Sequence, residues 1–212
     1  MEGVRSRLPQ AERRAQLVAA ALDIAVAEGV AATTIRRVAE RAGVALGVVH
    51  YCFADKDDLF VALAERIVTD LLAAASGARG FDDAEDLAAA LQCALDGLWE
   101  GIEATRDAQL LTYEITTAAL RNPALNHVAI RQYEVSQAAV SSLLSLAATS
   151  TNSTWLHPVD ELADEVLAML DGVTLRWLVD GDGTAARERL ARFTDYLRGY
   201  AKTTRRRRKA SA

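Results

Sequence analysis

The stretch GVALGVVHYCF, residues 43–53, sets His50 and Cys52 two positions apart, and Lys56 follows shortly after. A histidine and a cysteine are metal-ligand and nucleophile types, but this spacing suits neither use, and His127 and His157 stand alone. No HExxH, CxxC, P-loop or GxSxG string occurs in the chain. Catalysis, a metal and a cofactor therefore have no residues to rest on. A different chemistry is offered by QLLTYEITTAALR, residues 109–121, where Glu114 lies among Leu110, Leu111 and Ala118. A carboxylate on an apolar face needs a partner. Arg121, two turns along the same side, could close an ion pair with it; alternatively, Glu114 faces a cavity and meets a cationic or hydroxylated ligand. Trp99, Tyr113, Thr117 and Tyr133 are candidate walls of such a cavity, the plain alternative for the aromatic residues being core.

Helices must carry these residues. The 212-residue chain is 51% apolar with 3 Pro and 12 Gly, and Ala, Leu, Arg and Glu recur throughout, which favours an all-α protein. From Ala11, the residues Leu17, Val18, Ala21, Leu22, Ile24 and Ala25 recur at helical spacing until Gly29 supplies a stop. Thr33 and Thr34 can cap a second helix, in which Ile35, Val38, Ala39 and Ala42 form one buried stripe while Arg36, Arg37, Glu40 and Arg41 face outward. Gly43 breaks the pattern, Val44 resumes it, and Val49 with Phe53 forms an i, i+4 apolar pair. The result is helix, tight Gly turn, helix. A long helix is expected from Lys56 to about residue 75, then helices over 83–104, 107–121, 124–148, 160–179 and 184–201. STNSTWLHP reads as a loop, and no strand is expected.

The run TTIRRVAERAGVALGVVHYCFADKDDL resembles the N-terminal helix-turn-helix of the tetracycline-repressor-like (TetR) family of transcriptional regulators, over roughly residues 12–65. The features that match are the opening AAALDIAVAEGV, the Thr that starts the second helix, the V-A-E-R-A-G-V turn, Gly47, Tyr51, Phe53, and Lys56 with Asp58-Leu59. The departures fall on the recognition helix. Ala45 stands where a Ser or Thr is usual, and His50 and Cys52 stand at common Tyr and His positions. The resemblance implies an all-α protein with a three-helix DNA-binding domain in residues 1–55 and a helical ligand-binding and dimerisation domain in 56–201, followed by a basic tail, 202–212. It implies three partners: a double-stranded DNA operator, a small-molecule effector and a second copy of the chain.

In such a module the second helix lies in the major groove while helix ends and side chains hold phosphates. Thr33, Thr34 and Lys56 are the candidate phosphate clamps. With Val44, Val49 and Phe53 as the buried face, Ala45, Leu46, Gly47, His50 and Tyr51 turn toward DNA, and Val48 lies at the border. The apolar members, Ala45, Leu46 and Val48, suit thymine methyl groups. Arg5 and Arg7 could reach phosphate or the minor groove, or belong to a solvated terminus. LDGVTLRWLVDGD and the helix after it resemble the family's last two helices, which pair with their twofold copies. There Leu167, Leu170, Thr174, Trp177 and Leu178, with Phe193 and Leu197, make a stripe broad enough for a dimer surface, with internal core as the alternative.

Charge is distributed unevenly. Residues 1–56 carry 8 Lys/Arg against 6 Asp/Glu, residues 57–201 carry 10 against 23, and the tail from Lys202 carries 6 against none. The net charge of −5 thus hides a mildly positive head before an acidic body, which permits nucleic-acid binding. The tail TTRRRRKASA could add nonspecific phosphate affinity. Cys52 and Cys93 are too few and too far apart for a disulfide framework, which suggests a reducing compartment, the cytoplasm. No signal peptide or membrane span is expected. The competing reading is a helical ligand-binding or enzymatic protein without DNA binding. The set Thr34, Gly43, Gly47, Tyr51 and Lys56 separates the two.

Overall fold

The computed structural model describes residues 8–203; Arg5, Arg7 and the arginine run of the tail lie outside the described residues. The described chain is mainly helical: α1 (Gln10–Glu28), α2 (Ile35–Ala42), α3 (Leu46–Cys52), α4 (Lys56–Ser76), α5 (Leu87–Ala104), α6 (Arg106–Arg121), α7 (Asn126–Ser150), α8 (Val159–Asp180) and α9 (Gly183–Arg198). Short 3-10 turns at Val30–Ala32 and Pro123–Leu125 precede α2 and α7. No helix among the described residues is long and apolar enough to cross a membrane.

The chain forms two compact units, one built from the residues up to Ile67 with Asp107–Gln132, the other from Val68–Arg106 with Tyr133 onward. In the first, α1, α2 and α3 pack on one another. Leu17, Ala21, Val38 and Val49 are fully buried there, as their spacing predicts, and each such aliphatic side chain larger than alanine stabilises by about 1.5–3 kcal/mol. The turn between α2 and α3 depends on Gly43 at φ 66°, a left-handed conformation that costs an L-residue with a Cβ. Its amide and that of Val44 close onto the Glu40 and Ala39 carbonyls, which satisfies the end of α2. The unit extends beyond the 1–55 boundary read from sequence: α6 buries Leu111, Ile115 and Ala119 within it, and α7 buries Val128 and Ala129. A hydrophobic pattern shows that a helix has an inner face; it does not say which unit that face joins.

The second unit has two apolar clusters. One gathers Phe81, Leu91, Leu144, Leu162, Phe193 and Leu197; the other gathers Leu95, Trp99, Ile102, Val173, Trp177 and Leu190. Asp86 and Asp182 cap the starts of α5 and α9, their side chains accepting the Ala89 and Ala185 amides. One expectation fails: strands β1 (Ser153–Trp155) and β2 (Ala201–Thr203) pair antiparallel, with Trp155 opposite Ala201. Part of STNSTWLHP is therefore a strand rather than a loop, and α9 stops at Arg198 so that the chain after it can pair. Three residues carry no readable alternation, and their partners lie about fifty positions away. The Trp155 indole N–H anchors the pair by donating to the Leu144 carbonyl at 3.0 Å.

Candidate nucleic-acid interface

Helix α3 is short and has two contrasting faces. Val49 is 0% exposed and Cys52 and Phe53 are buried, so this side is committed to the core. On the other side Leu46 is 46% and Tyr51 71% exposed, with Ala45, Gly47 and His50 also exposed and Val48 half-buried. Val44, expected inside, is half-buried. Large apolar side chains standing together in water mark a surface made to be covered. A cleft of about 610 Å³ runs beside this face, lined by Leu8, Gln10, Arg13, Gly47, Val48 and Tyr51. Arg13 was not singled out from sequence; its signal was its place as a cation in the first turn of α1, held by a bond from its guanidinium to Gln16 Oε1 at 2.6 Å.

Two side chains fix the ends of α2 and α3. Thr34 caps α2, its hydroxyl accepting the Arg37 amide at 3.3 Å, and it remains exposed. Arg14 donates to the Cys52 carbonyl at 2.8 Å and to Asp58 Oδ1 at 2.9 Å while lying 4.2 Å over the Phe53 ring. The arginines of α2 pair on the surface, Arg37 with Glu28 and Arg41 with Asp23. Thr33 requires a correction. It is 0% exposed and its hydroxyl donates to the Gly29 carbonyl at 3.2 Å, so it braces the turn and cannot reach a phosphate. Two adjacent threonines look alike in sequence, but an extended step between them turns one inward and one outward. Lys56 is half-buried, with Nζ 3.5 Å from the Val30 carbonyl and 5.1 Å from the Phe60 ring centroid.

The six candidate ligand residues divide between the units. Trp99 and Tyr133 belong to the second, and Tyr113, Glu114, Thr117 and Arg121 to the first. Trp99 is fully buried core, edge-on to Trp177 at 5.4 Å between ring centroids, with an indole N–H that has no acceptor among the described residues. Tyr133 donates to Asp171 at 2.7 Å; burial, then this bond, pushes its hydroxyl up to about 12. Glu114 does not form the expected ion pair. Arg121 is exposed, and Glu114 Oε2 instead accepts the Val30 amide at 3.4 Å. Thr117 is exposed and bonds back to the Tyr113 carbonyl of its own helix.

The expected dimer stripe also needs correction. Thr174, Trp177, Phe193 and Leu197 are buried inside the subunit, and Leu170 and Leu178 pack against its core; Leu167 is half-buried. The open surface of α8 and α9 is the neighbouring one, a groove of about 1050 Å³ whose lining includes Glu165, Ala168, Gly172, Arg176, Arg192 and Tyr196. Leu175 and Val179 on α8 are 49% and 80% exposed. Phe193 also lines this groove, so the expected stripe and the open surface meet along one edge.

Comparison with known proteins agrees with this geometry. A model of bacterial regulatory proteins of the tetR family matches residues 17–63, and one of the tetracyclin repressor-like C-terminal domain matches residues 82–199. The chain is 29% identical over 174 residues to the HTH-type nicotine-responsive transcriptional repressor HdnoR of Paenarthrobacter nicotinovorans, covering 82% of this chain and 88% of that one. Among solved structures, a TetR-family member from Streptomyces coelicolor A3 is 30% identical with a TM-score of 0.61, covering 85% of this chain and 97% of that one. The multidrug binding protein EbrR, complexed with imidazole, is 29% identical with a TM-score of 0.63, covering 91% and 96%. With an outward apolar face on α3, a glycine turn before it and both halves of the chain matched, this protein belongs to the TetR family of DNA-binding transcriptional regulators.

Proposed function

We propose that this regulator is a repressor that binds a palindromic operator as a dimer and responds to a small molecule. The observation that carries the DNA half is the division of α3, with Leu46 and Tyr51 exposed on one side and Val49 and Phe53 buried on the other. In this reading Ala45, Leu46 and Val48 touch thymine methyls, while Tyr51, His50, Thr34, Lys56 and backbone near Gly47 grip phosphates. Arg13, beside the same cleft, joins the phosphate set. Phosphate contacts then set affinity and its salt dependence, and methyl contacts with DNA deformability set sequence preference.

One recognition helix covers a half-site, so a palindrome calls for two copies. The groove on α8 and α9 suits that role. Acidic residues open α8 and Arg176 lies near its end, so an antiparallel second copy would meet opposite charge. A buried guanidinium nitrogen of Arg189, on the groove wall, has no acceptor among the described residues, and the second copy would supply one. For the effector, the buried Trp99 N–H is the polar atom that a largely apolar molecule with one acceptor would satisfy. The names of HdnoR, nicotine-responsive, and EbrR, multidrug binding, are consistent with such chemistry.

The test is selection of duplexes from a random pool by the purified protein, followed by footprinting. A twofold-symmetric site with half-sites about one helical turn apart is expected. Selection of no sequence, or of an unsymmetric single half-site, would count against the proposal.

A further inference from the structure

Four arginines of α1 and α2 are neutralised where they stand: Arg14 meets Asp58, Arg36 meets Glu40, Arg37 meets Glu28 and Arg41 meets Asp23. Arg13 is held differently. Its guanidinium donates to Gln16 Oε1, one turn further along α1, at 2.6 Å, and no carboxylate among the described residues pairs with it. A neutral amide holds the side chain in place and leaves its positive charge intact. That charge stands on the cleft beside Gly47, Val48 and Tyr51 of α3.

The other end of the same amide has a second partner. Gln16 Nε2 donates to the Ala42 carbonyl at 3.1 Å. Ala42 is the last residue of α2, and the final carbonyls of a helix have no partner within it. The Gly43 and Val44 amides take those of Glu40 and Ala39, and Gln16 takes that of Ala42 from 26 positions away in sequence. The α2–α3 turn is thereby hung on α1 at the peptide where the chain changes direction. The two ends of the amide cannot be exchanged, because a guanidinium only donates and a carbonyl only accepts. Glutamate would hold Arg13 but cancel its charge and set an oxygen against the Ala42 carbonyl; lysine would serve the carbonyl and repel Arg13.

We propose that Gln16 is a positioning residue for DNA recognition, which fixes a charged Arg13 beside α3 and fixes the turn that sets how α3 enters the groove. The first half rests on the reading of Arg13 as a phosphate contact; the second rests on α3 alone. Arg13 then contributes to affinity for any sequence, while the turn governs how far the protein prefers its own site over random DNA.

The test measures affinity of the full-length protein for the selected duplex and for a random-sequence duplex across a range of salt, in wild type, Gln16→Met, Arg13→Ala and the double variant. Methionine keeps the unbranched stem and the helix propensity of glutamine and loses both hydrogen bonds. Arg13→Ala should lower the slope of log affinity against log salt by about 0.9 for each copy bound, one phosphate contact. Gln16→Met should lower the slope toward that value, and should change it no further in the Arg13→Ala background, because its effect on the slope passes through Arg13. It should also narrow the preference for the selected duplex about three-fold or more, the scale of one hydrogen bond, with or without Arg13. A side chain that only stabilised the fold would lower affinity by one factor at every salt and for both duplexes. Gln16→Met with the wild-type slope and the wild-type preference would therefore overturn the proposal. A changed slope with the preference intact would overturn the turn half, and the reverse would overturn the Arg13 half. Arg13→Ala with the wild-type slope would remove Arg13 from the phosphate set, leaving the preference to judge Gln16. Wild type that selects no duplex would instead fail the operator reading above, and the slopes on random-sequence DNA would then judge Gln16.

Discussion

Arg14 of α1 meets Asp58 of α4 at 2.9 Å while the same guanidinium holds the Cys52 carbonyl at the end of α3, 2.8 Å away. One side chain thus ties the first helix to the recognition helix and to the helix after it. Both partners of the ion pair are about one-third exposed, with side-chain exposures of 36% and 35%, so the pair itself contributes at the low level of surface bridges. Arg14→Ala also removes the backbone bond and the stacking on Phe53, and the total loss should be about 1–2 kcal/mol. Urea titration should show a lower midpoint with an unchanged slope. A midpoint equal to wild type would mean that the contact adds nothing.

The Arg14 bond holds the Asp58 carboxyl below the usual carboxylate range, helped by the Ala54 amide and opposed by partial burial. A group whose folded value is depressed stabilises fully above its unfolded value, about 3.9, and that stabilisation disappears as pH falls through the folded value. Asp58→Asn should therefore be less stable than wild type at neutral pH, and the two should converge below about pH 4. A gap that stays constant through the acid range would contradict this assignment.

If Leu46 reads thymine, replacing a contacted thymine by uracil in the footprinted operator removes one methyl group and should cost on the order of 1 kcal/mol. In Leu46→Ala the same uracil should cost less, since the side chain that met the methyl is gone. Equal affinity for thymine and uracil at every position would end the methyl-reading hypothesis.

If a second copy pairs along α8 and α9 as proposed, Leu175→Asp and Val179→Asp should leave a folded monomer that has lost the operator, because both side chains stand in solvent within the subunit. Trp177→Asp should instead unfold the protein, since Trp177 is 6% exposed and a buried unpaired carboxylate costs several kcal/mol. Sedimentation and circular dichroism separate the two outcomes. A Leu175→Asp protein that sediments as a dimer would place the interface elsewhere.

Ala45 opens α3 with extended backbone and no side-chain cap. Ala45→Ser should supply the missing acceptor and raise stability by about 1 kcal/mol. Thermal melting of the free protein checks it; a lowered midpoint would show that Ala45 is needed for packing.

What near neighbours control was legible in the chain before it folds. The spacing of Ile35, Val38 and Ala39, the break at Gly43 and the resumption at Val49 fixed the helix-turn-helix, because helical periodicity and a left-handed glycine are properties of a few consecutive residues. The outward set on α3 followed from the same phase. Which neighbour covers each apolar face was settled by long-range packing. It turned Thr33 inward and left Thr34 out, buried Trp177 and Phe193 within the subunit, and drew β1 against β2. It also gave Glu114 a partner 84 residues away, the Val30 amide, in place of the arginine on its own helix. Local pattern carries no record of such meetings, because a carboxylate or an apolar stripe needs only some partner, and which one arrives depends on how distant segments fold together.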